Sequence, residues 1–267
     1  MPVIVRNIFE KYVKERFDLR DCIAVNSGTS ALIATLWSMD LQPEDEVITT
    51  PFTFIATSNA ILIAGAKPVF VDINRNDFLM DVSKIEDAIT EKTKAIIPVH
   101  LYGQMCNMDK INHIAEKYNL KVIEDTAQAF GRKDIKDRYA GMNSDAGTFS
   151  FYKTKNISTF EGGMICIPKK SKLDGGKIRA ICDQGQVGRY NHEYLGFNFR
   201  LAEPLCLMAL EQMKLHMKGI EAELGLRGPE DGHYPNVVYE QPIYKKLKIT
   251  GNCPNAESVA KFIRGKI

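Results

Sequence analysis

The chain has 267 residues, a formal net charge of +2 and 45% hydrophobic residues, which are ordinary values for a globular protein with a sizeable core. So small a net charge gives no reason to expect nucleic acid or an anionic membrane as a partner. The six cysteines form no CxxC pair, which argues against a zinc site or a redox motif, and scattered thiols are typical of a reducing cytoplasm. We expect neither a signal peptide nor a membrane span, because charged residues interrupt the start of the chain and the most apolar segment, 60–66, is too short.

Strand-like and helical patterns alternate along the first part of the chain. Short, β-branched apolar runs predict strands at 22–25, 46–49, 68–71, 95–99, 122–124, 147–151 and 164–167. Apolar residues at helical spacing predict helices at 30–39, 56–64, 82–89 and 108–118. This alternation is typical of βαβ units, so we predict an α/β fold with a mainly parallel sheet between helices. Ligands of such sheets bind at the carboxyl ends of the strands.

The pattern changes after Ile167. A polar turn, a loop and a long helix are predicted at 169–176, 183–191 and 201–217. From Gly219 onward the chain is rich in glycine and proline. We therefore predict a large domain over residues 1–218 and a second unit over residues 219–267.

Two residues carry the strongest chemical signal. Lys155 lies in a polar loop after one predicted strand, and Asp125 ends an earlier strand. A lysine amine can hold the aldehyde of pyridoxal 5′-phosphate (PLP) as a Schiff base, and a carboxylate can keep the pyridine nitrogen protonated so that the ring accepts electrons. The ordinary alternatives are an exposed lysine and an aspartate that caps the next turn. Because both residues follow strands of one sheet, they can converge in space.

Further residues add candidate contacts. The segment 26–30, NSGTS, follows a strand and opens a helix, so its N–H groups and hydroxyls could bind a phosphate, although a plain N-cap is the alternative. Phe54 could stack on a cofactor ring or belong to the core, and Gln128 could hydrogen-bond a ring hydroxyl or lie on a surface helix. We predict no metal site, because no second histidine or carboxylate lies at ligand spacing from His100.

Seven motifs in chain order match one family. The chain resembles the DegT/DnrJ/EryC1/StrS aminotransferases, PLP enzymes that aminate nucleotide-linked keto-sugars, over about residues 7–218. The resemblance implies an aspartate-aminotransferase-like large domain of PLP fold type I, with a seven-stranded sheet, and a small C-terminal domain. The motifs are NSGTSAL (26–32), PFTFIAT (51–57), PVFVD (68–72), PVHLYG (98–103), EDTAQ (124–128), SFYKTKNISTFEGG (150–163) and LGFNFRL (195–201).

The resemblance also implies roles for individual residues. Lys155 matches the Schiff-base lysine, which moves protons as well, whereas Lys153 stands two residues too early for the family spacing. Asp125 matches the partner of the pyridinium nitrogen. The remaining cofactor contacts that the resemblance implies are Gly28, Thr29, Ser30 and Ser150 for the phosphate, Phe54 for stacking, Gln128 for the ring hydroxyl, and Asn198 for the phosphate of a neighbouring subunit.

The resemblance implies partners too. They are L-glutamate as the amino donor, a keto-sugar nucleotide as the acceptor, and a second copy of the chain in a homodimer with composite active sites. The chain departs from the family after Met217, where residues 219–267 match only the latter part of the small domain. A catalytically weak binding or assembly protein is therefore an alternative. A PLP-dependent sugar dehydratase is a lesser one, because that chemistry goes with a histidine where Lys155 stands.

Overall fold

The computed structural model of the protein describes residues 4–216 and 233–266. The α-helices are α1 (Val5–Arg16), α2 (Gly28–Trp37), α3 (Ala56–Ile63), α4 (Met108–Lys117), α5 (Gly175–Cys182), α6 (Glu203–His216), α7 (Pro242–Lys246) and α8 (Pro254–Arg264). The strands are β1 (Leu19–Val25), β2 (Glu46–Thr49), β3 (Lys67–Phe70), β4 (Thr93–Ile96), β5 (Lys121–Asp125), β6 (Ala146–Ser150), β7 (Gly163–Pro168), β8 (Gln186–Gly188) and β9 (Asn191–His192). Short 3₁₀ turns cover Val82–Lys84, Glu86–Ala88, Leu101–Gly103 and Val238–Glu240.

Seven strands form the main sheet, in the order β1-β7-β6-β5-β4-β2-β3. β7 is antiparallel to both of its neighbours, and the other pairings in this sheet are parallel. The predicted α/β fold with a mainly parallel sheet is thus confirmed, and each strand of this sheet overlaps a run that predicted it. Since β1 and β6 both oppose β7, they run in the same direction and end at the same edge of the sheet as β5.

Successive strand residues point to opposite faces of the sheet, so apolar side chains lie on both faces. Helices cover both of them. In β2, Val47 packs in a core cluster with α2 and α3, whereas Ile48 packs in another cluster with α4 and α8. The α5 helix shares the face of α2, where it packs on β1 and β7. On the opposite face α1 and α6 cover β1, β6 and β7. The carboxyl-terminal edge of the sheet therefore lies between two layers of helices.

The described part of the C-terminal segment packs directly on the sheet. Val238 N–H donates to the Pro51 carbonyl oxygen at 3.0 Å, and the Tyr244 hydroxyl donates to Asn59 Oδ1 at 2.9 Å. Cys253 belongs to the same buried cluster as strand residues of β2 and β4. The predicted boundary near Lys218 lies outside the described residues, so the division into two domains stays a prediction.

Some local predictions were wrong. The segment 82–89, predicted to be one helix, forms two 3₁₀ turns, because Asp81 accepts a hydrogen bond from Ser83 N–H to start a tight turn and Ile89 returns to extended backbone. The predicted polar turn at 169–176 ends early, because Asp174 caps α5 by accepting from Lys177 N–H.

The remaining elements agree with the sequence prediction to different degrees. The α1 helix was not predicted, although Phe9 and Val13 bury one face of it. The predicted loop 183–191 contains most of the β8–β9 hairpin. The α6 helix lies within the predicted range 201–217, whose last residue is outside the described part of the chain.

Along residues 4–216 and 233–266, no helix is long and apolar enough to cross a membrane. Within the same two stretches, no group of three or more His, Cys, Asp or Glu side chains is arranged to hold a metal ion. All six cysteines are free thiols and buried. Four of them, Cys22, Cys166, Cys182 and Cys206, pack as small core residues under α1, α5 and α6.

Candidate active site

A cavity of about 540 Å³ opens at the carboxyl-terminal edge of the main sheet. Most of its walls come from the ends of β1, β2, β5 and β6 and the segments that follow them, as expected for a ligand site in a parallel sheet. Seven residues that were predicted from the sequence line it: Gly28, Thr29, Phe54, Asp125, Gln128, Ser150 and Lys155. The structure therefore brings together, in one cavity, residues that are up to 127 positions apart in the chain (155 − 28).

The first turn of α2 forms one end of the cavity. Ser27 caps the helix by accepting a hydrogen bond from Ser30 N–H at 3.0 Å. A Cβ atom on Gly28 would lie 2.8 Å from Ser150 Cβ, so glycine is needed for the helix to start this close to β6. Ser30 does not line the cavity, because it is buried and donates its hydroxyl to Asn26 Oδ1. Ser27, Gly28 and Thr29 of this turn line the cavity, whereas Ser30 does not.

Asp125 lies at the end of β5, where it is buried beneath the cavity. Its Oδ2 atom accepts a hydrogen bond from the Thr57 hydroxyl at 2.8 Å, and its Oδ1 atom accepts from Ala127 N–H at 3.2 Å. Burial raises the pKa of Asp125 above its ordinary value, although these hydrogen bonds and the charge of nearby Lys155 act in the opposite direction. A cationic group in the cavity would stabilise this ionised carboxylate.

Lys155 lies in the loop that follows β6. It is half-buried and lines the cavity, and its backbone N–H closes a turn to the Tyr152 carbonyl oxygen. Lys153 is exposed, does not line the cavity, and has its Nζ atom 5.8 Å from the Tyr152 ring centroid. The geometry therefore agrees with the choice of Lys155 over Lys153.

The side walls carry an aromatic ring and an amide. Phe54 is 61% exposed although it lines the cavity, while Phe52, two residues earlier, is fully buried in the core. Gln128 accepts a hydrogen bond from Tyr102 N–H through Oε1 and donates through Nε2 to the Tyr234 hydroxyl. Phe54 is therefore not part of the core, and Gln128 does not lie on a surface helix.

Asn198 lies away from the cavity. Its side chain is exposed, and its carbonyl oxygen accepts a hydrogen bond from Asn26 Nδ2 at 3.1 Å. The position agrees with the expectation that Asn198 acts on another subunit rather than on its own cavity. His100 is also not part of the lining, since it is fully buried and pairs with Glu124.

Comparison with known proteins decides the family. The sequence model of the DegT/DnrJ/EryC1/StrS aminotransferase family matches residues 5–222. The chain belongs to this family. The seven motifs predicted membership of this family over about residues 7–218, and the match confirms that prediction.

The alignments of this chain with named relatives cover only part of each relative's length. The chain is 40% identical over 222 residues to the GDP-perosamine synthase of Caulobacter vibrioides, an alignment that covers 81% of this chain and 59% of that protein. It is 41% identical over 237 residues to the dTDP-4-amino-4,6-dideoxy-D-glucose transaminase of Shigella dysenteriae, covering 89% and 61%. The chain thus spans little more than half the length of these relatives.

Solved structures of the family share the fold. The structure of S. venezuelae DesV in complex with a ketimine intermediate superposes with a TM-score of 0.84, at 27% sequence identity, over 96% of this chain and 82% of that one. This similarity agrees with the predicted PLP fold type I architecture.

Several cavity residues had no predicted role, and three of them make or offer polar contacts at the site: Thr57, His233 and Tyr234. Thr57 lies inside a family motif and holds Asp125, so a hydroxyl one turn into α3 was the available signal. His233 and Tyr234 belong to the C-terminal segment and reach the cavity only through the tertiary fold. No local pattern marks them.

Proposed function

We propose that the protein is a PLP-dependent aminotransferase that transfers the amino group of L-glutamate to a keto-sugar nucleotide. The products are 2-oxoglutarate and an amino-sugar nucleotide, as in the biosynthesis of polysaccharides and other glycans. The observation that carries the proposal is that Lys155 and Asp125 line one cavity with the glycine-opened start of α2. The retention of Lys155 argues against the dehydratase alternative.

The groups that line the cavity fit the parts of PLP. Gly28, Thr29 and Ser150 would hold the phosphate, because a helix N-terminus and hydroxyl groups favour an anion. The buried Asp125 carboxylate would pair with the protonated ring nitrogen, and Phe54 offers an aromatic face. Bound PLP supplies an electron sink for the carbanion that forms when an amino acid loses its α-proton.

The protein residues would supply attachment, orientation and proton transfer. Among the described residues that line the cavity, Lys155 carries the amine, so it would attach PLP and afterwards move a proton to and from the substrate carbon. Thr57 and Ala127 hold both oxygens of Asp125, which fixes the carboxylate for its partner. Gln128 would donate to the ring hydroxyl oxygen.

The substrate class is inferred from the relatives. The names of the two relatives above contain GDP and dTDP sugars, and a further relative, from Acidithiobacillus ferrooxidans, is named as an aminotransferase for a UDP-linked 3-dehydro sugar. We therefore assign a keto-sugar nucleotide as acceptor, without a preference among nucleotides. L-Glutamate is assigned as the donor from the family resemblance.

A homodimer is part of the proposal. Asn198 is exposed on the loop after the β8–β9 hairpin, and large apolar side chains beside it are also exposed: Tyr190 is 80% and Leu195 is 73% accessible. A second copy of the chain would bury this apolar surface and bring Asn198 towards the phosphate end of the partner's cavity. The cytoplasm is the proposed compartment, since the six free thiols suit reducing conditions.

Covalent capture of PLP tests the proposal. The wild-type protein with PLP is expected to develop a visible absorption band, and borohydride should fix the cofactor to Lys155 in peptide maps. Lys155→Ala should lose the band, whereas the matched control Lys153→Ala should keep it. L-Glutamate should abolish the band and a keto-sugar nucleotide should restore it. A label on Lys153, or a band that glutamate leaves unchanged, would contradict the assignment.

A further inference from the structure

The side-chain amide of Gln128 is held from two sides. Its Oε1 atom accepts a hydrogen bond from the backbone N–H of Tyr102 at 3.0 Å, and its Nε2 atom lies 2.7 Å from the hydroxyl of Tyr234. Tyr102 is on the 3₁₀ turn after β4, and Tyr234 belongs to the C-terminal segment, 106 positions beyond Gln128. The amide therefore joins two distant parts of the chain at the cavity wall.

The orientation of this amide follows from its partners. A backbone N–H can only donate, so the atom facing Tyr102 must be the oxygen, and Nε2 must face Tyr234. Nε2 carries two hydrogens, and the Tyr234 hydroxyl can accept one of them. Gln128 also lines the cavity, so its second N–H is available to a ligand bound there.

The ring of Tyr234 is fixed by its packing. It stacks on Tyr102 with centroids 6.2 Å apart and meets Phe52 edge-on at 5.8 Å. Its backbone has φ of +61°, a conformation that costs free energy for a residue other than glycine. Such a conformation persists only where the surroundings enforce it, so the hydroxyl is held in a defined place.

We infer that Tyr234 is a positioning residue, which holds the Gln128 amide so that its second Nε2–H is donated to the ring hydroxyl oxygen of PLP. This inference rests on the proposed function. It links the docking of the C-terminal segment to the properties of the cofactor. An N–H donated to that oxygen stabilises its negative charge, and it therefore lowers the pH at which the linkage between Lys155 and PLP loses its proton.

The test compares two tyrosine hydroxyls that both join the C-terminal segment to the rest of the protein. Tyr234→Phe removes the hydroxyl at Gln128, and Tyr244→Phe removes a buried hydroxyl at Asn59, outside the cavity. Tyr234→Phe should weaken PLP binding by about 3- to 10-fold, the effect of one hydrogen bond. It should also raise the pH midpoint of the visible band of bound PLP. Tyr244→Phe should leave both quantities unchanged, while both variants lower the melting temperature of the PLP-free protein.

A double mutant separates positioning from direct action. In a Gln128→Leu background, Tyr234→Phe should cause no further change in the pH midpoint, because its effect passes through the amide. Gln128→Glu, which accepts from Tyr102 but cannot donate to the ring, should raise the midpoint as Tyr234→Phe does. It also serves if Tyr234→Phe fails to fold. A shift that persists in the Gln128→Leu background would overturn the inference about Tyr234, and so would an unchanged midpoint in Gln128→Glu. Either result would leave the proposed function standing. A wild-type protein that never shows the band would overturn the proposed function as well.

Discussion

His100 Nε2 lies 2.8 Å from Glu124 Oε2, and both side chains are fully buried. Burial lowers the pKa of His100, but its hydrogen bonds with Cys106 and Glu124 raise that pKa above the ordinary value. The backbone N–H of Cys106 nevertheless donates to Nδ1, and a nitrogen that accepts this hydrogen bond carries no proton. We therefore assign a neutral ring that donates from Nε2. Burial raises the pKa of Glu124, but the hydrogen bonds from His100, Asn143 and Gly141 outweigh it and keep that pKa below its ordinary value.

Glu124→Gln is expected to destabilise the protein strongly. Every group around the carboxylate is a donor: the ring of His100, the N–H groups of Gly141 and Asn143, and the hydroxyl of Ser144. A glutamine would turn its own NH₂ group towards these donors, so we expect a loss of about 3 kcal/mol in the free energy of unfolding by urea. Glu86→Gln, which breaks an exposed ion pair with Lys117, should change nothing measurable.

The same variant predicts an acid dependence. The folded-state pKa of Glu124 lies below its ordinary value of 4.5, so its contribution is complete above pH 4.5 and disappears as the pH falls. The stability difference between the wild type and Glu124→Gln should therefore shrink below that pH. A difference that stays constant down to the acid transition would show that the charge of the Glu124 carboxylate is not what stabilises its contacts with residues 141–144.

Asp125→Asn should stabilise the PLP-free protein but strongly slow the reaction with glutamate. Because burial raises the pKa of Asp125 above its ordinary value of 3.8, the ionised carboxylate costs stability at neutral pH, and the cost fades as the pH falls. Asparagine keeps the hydrogen bonds, since the Thr57 hydroxyl can reverse its direction. We expect the melting temperature at pH 7 to rise by roughly 2 to 4 °C. The glutamate-driven loss of the PLP band should slow by about 100-fold or more.

Replacing Phe54 and replacing Phe52 with alanine should have opposite effects on PLP affinity and on stability. Phe54→Ala should weaken PLP binding by about 2- to 10-fold, as expected for the loss of one aromatic contact, with little change in stability because the ring is 61% exposed. Phe52→Ala should cost about 3 to 5 kcal/mol of unfolding free energy, because that ring is fully buried. Equilibrium titration with PLP and urea denaturation measure the two effects. Equal PLP affinities for Phe54→Ala and the wild type would remove Phe54 from the site.

Gly28→Ala should separate α2 from β6. The new methyl group would lie 2.8 Å from Ser150 Cβ and 3.3 Å from the Phe149 carbonyl oxygen, so the helix start must move. We expect PLP affinity to fall at least about 10-fold, since the phosphate contacts move with the helix. In the control Gly265→Ala, the methyl group would meet Phe262 O at an ordinary 3.6 Å, and PLP affinity should not change.

The strands were predictable because each combines β-branched residues with burial, as in β2, where Val47 and Ile48 are both buried. The helices were harder. The α5 helix begins with Gly175 and Gly176, which indicate a turn by composition, and only the capping role of Asp174 revealed the true start. The 3₁₀ turns of 82–89 kept the apolar spacing of a helix without its hydrogen bonds.

The site residues that lie at the end of a strand, or directly after one, were predictable from the sequence. Asp125 ends β5 and Lys155 follows β6, and both strands end at one edge of the sheet, so topology alone brings the two residues together. The contact between Gln128 and Tyr234 depends on how the C-terminal segment folds back, and neither residue has a neighbour in sequence that indicates it. Asn198 stays a prediction, because its partner would be on another subunit.

The antiparallel β7 has a consequence for synthesis. Among the strands of residues 4–216 and 233–266, β1 pairs only with β7 in the main sheet, and Gly163 follows Val25 by 138 positions (163 − 25). At about 5 to 20 residues per second, a ribosome needs about 7 to 28 s to make the chain between them. During that time the apolar residues Cys22, Ile23 and Val25 have no strand to pair with. Both edges of β1 are therefore unpaired in the nascent chain, and open to aggregation, until β7 leaves the exit tunnel.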